Sequence, residues 1–599
     1  MEKRVLGAFG LIILTWIGYY YIIYPMYAPQ RPAPVDRMVP QEQPRDFAAG
    51  DDPAGVYPQG ETTGPAFDAP PDAARSAFDA PPDAAAPEPG RTPPHRIEDR
   101  PRQDLAADSW DRSERVLFLP PAEGAPAPRD IVVENQYFRG VINTMGGVIT
   151  SWKLKGYRGI GGEEVELIPP DRESGPDIVL TTERGPRSTR ALRFAADRDA
   201  VVLGPGQSSG SVTLTADAPG GLTITKAFVI NRDDYAVDLQ VRIDGGQDLA
   251  LGSKYYLRWG GGINVTERDW DQDLYAFRGF ASLNDTVIDE DLGTEFEDPR
   301  PETTGETHWV GVRSKYFFTA MVPVDRKARG YRLNGRPVQR AQYDDRQIAA
   351  ELSMGLASPL MDNFLLYLGP VHYDTLESYG YGLEGAVDLG WTIIQPISRI
   401  TLISLVWLHQ FITNYGVVII VLSIIVKILL FPLTHKSMKA TQGMAALQPK
   451  MESLKEKHKN DSTKLNQEMM KLYRDAGVNP LGGCLPLLLQ MPILIALYTI
   501  FSSTIELRDA PFIGWIQDLS LRDPYYVLPV LMAATMLIQS KMTMKDPRQA
   551  MFVYIMPAVL FFIMMNLPSG LILYWTMINV LTIVQQAFQN RFFPVQPAK

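Results

Sequence analysis

ITNYGVVIIVLSIIVKILLFPLTHKSMKA, residues Ile412–Ala440, decides the reading of this chain. Its first 22 residues, through Leu433, hold one charge, Lys427, and then the sequence turns abruptly basic. A run of about 20 apolar residues at 1.5 Å each crosses a ~30 Å hydrocarbon layer. A stretch of this kind predicts a membrane span, and a lysine inside one is expensive unless hydrated or paired.

Outward from this stretch, four further spans are predicted at Leu481–Thr504, Tyr525–Ser540, Ala550–Asn566 and Gly570–Phe588. Trp391–Phe411 is apolar but holds Gln395, Pro396, Ser398, Arg399 and His409, which suits a helix lying in the bilayer interface over 389–411. At the other end, Val5–Tyr24 is an uncharged run behind Lys3 and Arg4, with tyrosines near its far end. A cleaved signal peptide is the alternative, but no small-residue cleavage site follows, so 1–24 is expected to be a signal anchor.

Topology follows from loop charge. Thr434–Pro480 carries eight lysines and one arginine against five acidic residues, and Lys541–Gln549 has three basic residues against Asp546. Ile505–Pro524 is acidic overall. Six spans, with both termini cytoplasmic, place every basic loop inside. Within 434–480, Met444, Leu447, Met451 and Leu454 recur at helical spacing, as do Leu465, Met469 and Leu472, with Asn460-Asp461-Ser462 between them. This predicts a helical hairpin, either a solvated basic structure or a docking surface for a ribosome, nascent chain or targeting factor. A short cytoplasmic tail, 591–599, follows the core, 412–590.

Between anchor and core the composition changes twice. Pro25–Pro128 holds 22 prolines and repeats AFDAPPDAA at Ala66–Ala74 and Ala77–Ala85. It cannot bury enough surface to offset chain entropy, so 25–129 is expected to be a disordered linker. Over 130–388, alternating runs such as Leu222–Ile230 and Tyr235–Ile243, joined by Asn231–Asp234, predict hairpins of an antiparallel β-sandwich. Cys484 is the single cysteine, which excludes an intramolecular disulfide. The net charge of −10 comes mostly from the soluble part and excludes no membrane role.

Several strings resemble the YidC/Oxa/Alb family of membrane protein insertases: FPLTHKSMKA (431–440), LQPKMESLKEKH (447–458), QEMMKLY (467–473), VNPLGGCLPLLLQMPILIALY (478–498), IELRDAPFIGWIQDLSLRDPYYVLPVLM (505–532) and LPSGLILYW (567–575). The similarity is continuous from about Tyr415 to Phe588, and YFRGVINTMGGVITSWKLKGY (137–157) is similar to the start of the family's periplasmic domain. The resemblance implies the Gram-negative form. That form has a β-supersandwich periplasmic domain, a cytoplasmic helical hairpin and a five-helix core around a hydrophilic groove in the inner membrane. It also implies insertion and chaperoning of nascent membrane proteins, alone or beside the Sec translocon. Where the family typically has arginine, this chain has Lys427, which keeps the charge but loses the planar fork.

The residues suggest what would line such a groove. Ser423 precedes Lys427 by one turn, and no acidic residue lies in any core span. Lys427 either faces a wet groove or snorkels to the cytoplasmic surface. Trp575, Asn579, Thr582 and Gln586 form one stripe of the last span, facing water or hydrogen-bonded to partner helices. Gln490 is a further inward polar candidate. Pro486, Pro492 and Pro557 are expected to kink their helices. Met491, Met556, Met564 and Met565 offer soft surfaces for apolar clients, or simple packing. Ribosome or targeting-factor contact is expected through 434–480 and 541–549, together with contacts to membrane lipids, without sequence-specific nucleic-acid binding.

Two rival functions remain. A small-solute or lipid transporter would suit the intramembrane charge, but such proteins commonly carry internal repeats, and none is evident. An enzyme is suggested by the likeness of the supersandwich to sugar epimerases. Its folded domain offers only His308 and His372, neither in a defensible motif. No catalytic residue, cofactor or metal is expected.

Overall fold

The computed structural model describes residues 116–592, apart from 173–174, 247–248, 293–299, 340–343, 357–359, 460, 478–484 and 544–549. The expected anchor 1–24, nearly all of the expected linker, Cys484 and the tail 593–599 lie outside the described residues.

Residues 117–370 form a fifteen-stranded sheet and a five-stranded sheet among the described residues. The hairpin read from alternation is present, with Leu222–Asn231 paired antiparallel to Ala236–Asp244 in a register that sets Ile224 opposite Ile243. Its inward set, Leu222, Ile224, Phe228, Ile230, Val237, Leu239 and Val241, is fully buried in a single large core. Alternation also carries Lys226 inward, where its Nζ donates to the carbonyls of Gly146 (2.8 Å), Gly147 (3.1 Å) and Pro176 (2.9 Å). Two expectations are corrected. The sheet begins before residue 130, because the apolar run Val116–Leu119 closes the Pro-rich segment. Leu117–Phe118 pairs with Arg187–Ser188, and Leu119 enters the core. Nor is pairing wholly antiparallel: that contact is parallel, as is Val132–Glu134 on Ala200–Val202.

Helices α1 (Trp270–Tyr275) and α2 (Tyr373–Ser378) belong to the sheet domain. Then come α3 (Gln395–His409), α4 (Tyr415–Leu429), α5 (Phe431–Ala446), α6 (Gln448–Lys457), α7 (Ser462–Asp475), α8 (Leu485–Ser503), α9 (Val527–Thr543), α10 (Ala550–Met564) and α11 (Ser569–Phe592). A second core joins α3, α4, α8, α9 and α11 through Leu402, Leu405, Val418, Ile419, Leu497, Ile500, Met532, Ile572 and Tyr574. On α3 the opposite side exposes Ile400, Ile403 and Trp407, so both of its faces are apolar. The span drawn to Leu433 is shorter as a helix. The chain leaves α4 at Leu430 and bends by 61° into α5, where Pro432 lacks an N–H and crowds the preceding turn. The stripe from Met444 to Leu454 is likewise divided between α5 and α6 at Leu447, just ahead of Pro449. Helices α6 and α7 fold back on each other. Asp461 caps α7 by accepting from Lys464 N (2.9 Å), and the Tyr473 hydroxyl donates to Met451 Sδ (3.4 Å).

The sheet domain meets the helices at the turn after α8. Arg508 Nε donates to Glu267 Oε1 (2.9 Å) and its Nη2 to the Arg158 carbonyl (2.6 Å), with the guanidinium over the rings of Tyr316 and Phe317. Beside it, His372 bridges the Tyr157 hydroxyl (2.8 Å) and Glu506 (3.2 Å). Buried Asp273 accepts from the backbone N–H groups of Thr266 (2.9 Å), Glu267 (3.2 Å) and Lys315 (3.1 Å). Burial nevertheless pushes its carboxyl up to about 6. In the window from about pH 4, the ordinary carboxyl value, to about 6, the folded state binds more protons than the unfolded. Stability conferred by this group is therefore full below the window and falls as pH rises through it, by roughly 2–3 kcal/mol. Thermal unfolding of the full chain should show that slope. Asp273→Ala should flatten it and lower the midpoint throughout, because three N–H groups lose their acceptor. An unchanged slope in the variant would assign the pH dependence elsewhere.

Candidate functional site: a polar seam along the last helix

Helix α11 is the longest in the bundle, with 24 residues, and packs against both α4 and α9. A helix buried on two sides has polar groups that need partners, and α11 finds them on four neighbours. Near its start the buried Tyr574 hydroxyl accepts from Gln490 Nε2 on α8 (3.0 Å). One turn on, buried Asn579 donates to Thr535 Oγ1 on α9 (3.4 Å). Next, Lys427 Nζ from α4 donates to Thr582 Oγ1 (2.7 Å), which itself donates to the Ile578 carbonyl (2.6 Å). Last, Gln585 donates to Thr434 Oγ1 on α5 (3.2 Å).

The ammonium of Lys427 is half-buried and sits in the last turn of α4, where the helix dipole favours a cation. Its oxygen partner is neutral, and the sequences of α4, α5 and α8–α11 contain no aspartate or glutamate. The cation is thus bound by a hydroxyl rather than neutralised.

The predicted residues divide by placement. Lys427 and Thr582 are brought together. Asn579 turns to α9, and Gln490 reaches Tyr574. Ser423 is fully buried and donates to the Ile419 carbonyl of its own helix (2.7 Å). Trp575 is half-buried against the helical core, and Gln586 is buried. Among the methionines, Met491 is 38% exposed, Met556 and Met565 are half-buried, and Met564 is 9% exposed and packed within the core. Met564 therefore belongs with the packing alternative, not with an open apolar surface. Pro492 and Pro557 lie inside α8 and α10. The sequence reading did not single out Tyr574, Thr535, Thr434 or Gln585. Tyr574 had a signal, since a buried phenol requires a partner, but a lone threonine in a span carries none.

Comparison with known proteins bears on both parts of the chain. The family described as "60Kd inner membrane protein" matches residues 407–596, and that described as "YidC periplasmic domain" matches 130–400. The "Membrane protein insertase YidC" of Syntrophus aciditrophicus is 34% identical over 517 residues, 85% of this chain and 91% of that protein. Its namesake from Geobacter metallireducens is 33% identical over 492 residues, 80% and 89% respectively. Among solved structures, an active YidC insertase crystal structure is 18% identical at a TM-score of 0.35, covering 80% of this chain and 95% of its own. An aldose epimerase homologue from C. elegans matches 41% of this chain at 9% identity and a TM-score of 0.26. Structural likeness at these scores adds nothing to the sequence matches. Those matches account for the sheet domain and the helical core together: the chain belongs to the YidC family of membrane protein insertases.

Proposed function

We propose that this chain inserts transmembrane segments of nascent proteins into the bacterial inner membrane through a hydrophilic groove open to lipid, alone or with the Sec translocon. One observation carries the groove: a half-buried lysine ammonium held by a hydroxyl in a bundle without acidic side chains. The obstacle to insertion is the cost of drawing polar groups through hydrocarbon, several kcal/mol for each unsatisfied backbone group. A polar seam reaching part-way across shortens the dry path. Lys427 attracts acidic groups of the tail being translocated, while the client's apolar helix leaves sideways into lipid, past Met491 and the half-buried methionines. The basic hairpin 434–480 and the loop 541–549 face the cytoplasm and dock a ribosome or targeting factor. No step calls for a catalytic residue or cofactor.

The test is reconstitution. Liposomes containing only this protein should insert an acidic-tailed single-span client that empty liposomes leave outside, with the translocated tail protected from added protease. Solute flux with no client insertion would instead favour the transporter reading.

A further inference from the structure

The turn between α8 and α9, residues 504–526, touches the first turns of both helices that meet at Lys427 and Thr582. It is stiff in itself. Phe512 N donates to the Ile516 carbonyl (3.0 Å) and Leu519 N to the Ala510 carbonyl (3.1 Å), with Leu519 fully buried in the helical core. On one side it holds the start of α4. Asn414 caps that helix by accepting from Val417 N with its Oδ1 (3.1 Å), and its Nδ2 donates to the Phe512 carbonyl (2.9 Å). The Phe512 ring lies on the bare backbone of Gly416, where any Cβ would overlap it. On the other side the turn holds the start of α11. Ser569 donates to the Leu521 carbonyl from its N (2.7 Å) and from its Oγ (2.7 Å), and Gly570 N donates to the Leu519 carbonyl (2.9 Å).

Asn414 to Lys427 is 13 residues, and so is Ser569 to Thr582. Each helix therefore rises about 20 Å from the turn to the bonded pair, and both run in the same direction. Between those ends α4 packs through apolar side chains, Val418, Ile419 and Leu422, and its Ser423 hydroxyl is turned to its own backbone. Apolar packing opposes separation but sets no sharp angle, whereas hydrogen bonds are directional. The angle between the two helices is thus fixed where the turn grips them. Over about 20 Å, a tilt of about 5° displaces the far end by about 1.7 Å. That is enough to carry a 2.7 Å hydrogen bond out of range unless the lysine stem follows it. We propose that this turn is a clamp that presets the position of Lys427, with Asn414 and Ser569 as positioning residues for clients with acidic tails. The proposal rests on the reading of Lys427 as the cation that attracts those tails. The clamp acts before a client arrives, so that the ammonium is presented at one place instead of over a range of angles.

Substitutions that keep the cap and break the clamp test this. Asn414→Asp keeps an acceptor for Val417 N but has no N–H for the Phe512 carbonyl, and Asn414→Ser does the same without the charge. Ser569→Ala removes one of the two bonds to Leu521 and leaves the cap intact, so it carries the test alone if the Asn414 variants fail to assemble. In a Cys484→Ser background, nitroxide labels at Leu429→Cys on α4 and Val584→Cys on α11, 76% and 60% exposed, report the distance between the helices. It is read by double electron–electron resonance on the full chain in liposomes. The clamp variants should broaden that distance distribution by a few ångströms. Without labels, they should lower the ratio of acidic-tailed to neutral client insertion towards that of Lys427→Ala, by up to about fivefold. In a Lys427→Ala background they should change the ratio no further. Distance distributions identical to wild type would overturn the clamp. Broadened distributions with the wild-type client ratio, or with both clients slowed alike, would overturn the positioning role. A wild-type ratio no higher than that of Lys427→Ala sinks the electrostatic reading and the positioning role with it; broadened distances in that case place the fault in the reading of Lys427, not in the geometry of the clamp.

Discussion

Lys427→Glu is expected to slow insertion of a client with an acidic translocated tail more than that of a matched neutral client. Lys427→Ala should have a smaller effect of the same kind, and Lys427→Arg should retain function. A unit pair at 4–6 Å with an effective dielectric constant near 20 interacts by roughly 3–4 kcal/mol before hydration reduces it. One surviving kcal/mol is about a fivefold change in rate. The glutamate also reverses the charge in the last turn of α4, which the helix dipole penalises by about 0.3–1 kcal/mol, so insertion rates must be normalised to folded protein. A lysine that merely snorkels predicts similar small effects of Ala and Glu on every client, with altered abundance of the insertase instead. Equal rates for wild type and Lys427→Glu on the acidic client would remove the electrostatic role.

Arg508→Ala should loosen the sheet domain from the helices. The Arg508 and Glu267 side chains are 5% and 14% exposed, and burial already raises the Glu267 carboxyl while Arg508 opposes that shift. Removing one partner of a buried pair costs about 3–5 kcal/mol because the other charge stays behind. The thermal midpoint of the sheet domain should fall, and proteolysis should become faster around 371–390, where the chain passes between the two. Arg508→Lys should lie between, keeping the charge but losing the bonds to Glu267 and the Arg158 carbonyl together. Adding Glu267→Gln to Arg508→Ala should recover part of the loss, since it removes the stranded carboxylate. An Arg508→Ala protein as stable and protease-resistant as wild type would show the junction to be held elsewhere.

The elements of this fold were legible where one period dominates. Alternation in Leu222–Ile230 put the right side chains inward, and helical spacing with a cap at Asp461 marked the hairpin. Periodicity says which way a residue points but not what meets it. It carried Lys226 into the core with no hint of its three carbonyl partners, which lie 50 to 80 residues away in the chain. Likewise the stripe Asn579–Thr582 was visible, but its partners Thr535 and Lys427 lie 44 and 155 residues distant. Arg508 and Glu267, 241 residues apart, gave no local signal at all. The break at Leu430 was different in kind. Pro432 marked it in the sequence, and the length criterion for a span carried the reading past it to Leu433.

The bond between Lys427 and Thr582 bears on turnover. A cation already locked to a carboxylate would accept a client only by exchange, and each release would wait on the native partner's return. On the proposed function the ammonium, resting on a hydroxyl, would give up one neutral hydrogen bond to meet an incoming acidic group. It would regain that bond when the client moves on. Neither direction would require a second ion to leave. Such a site is suited to brief, repeated encounters with many different tails, held for the time of one passage and then vacated.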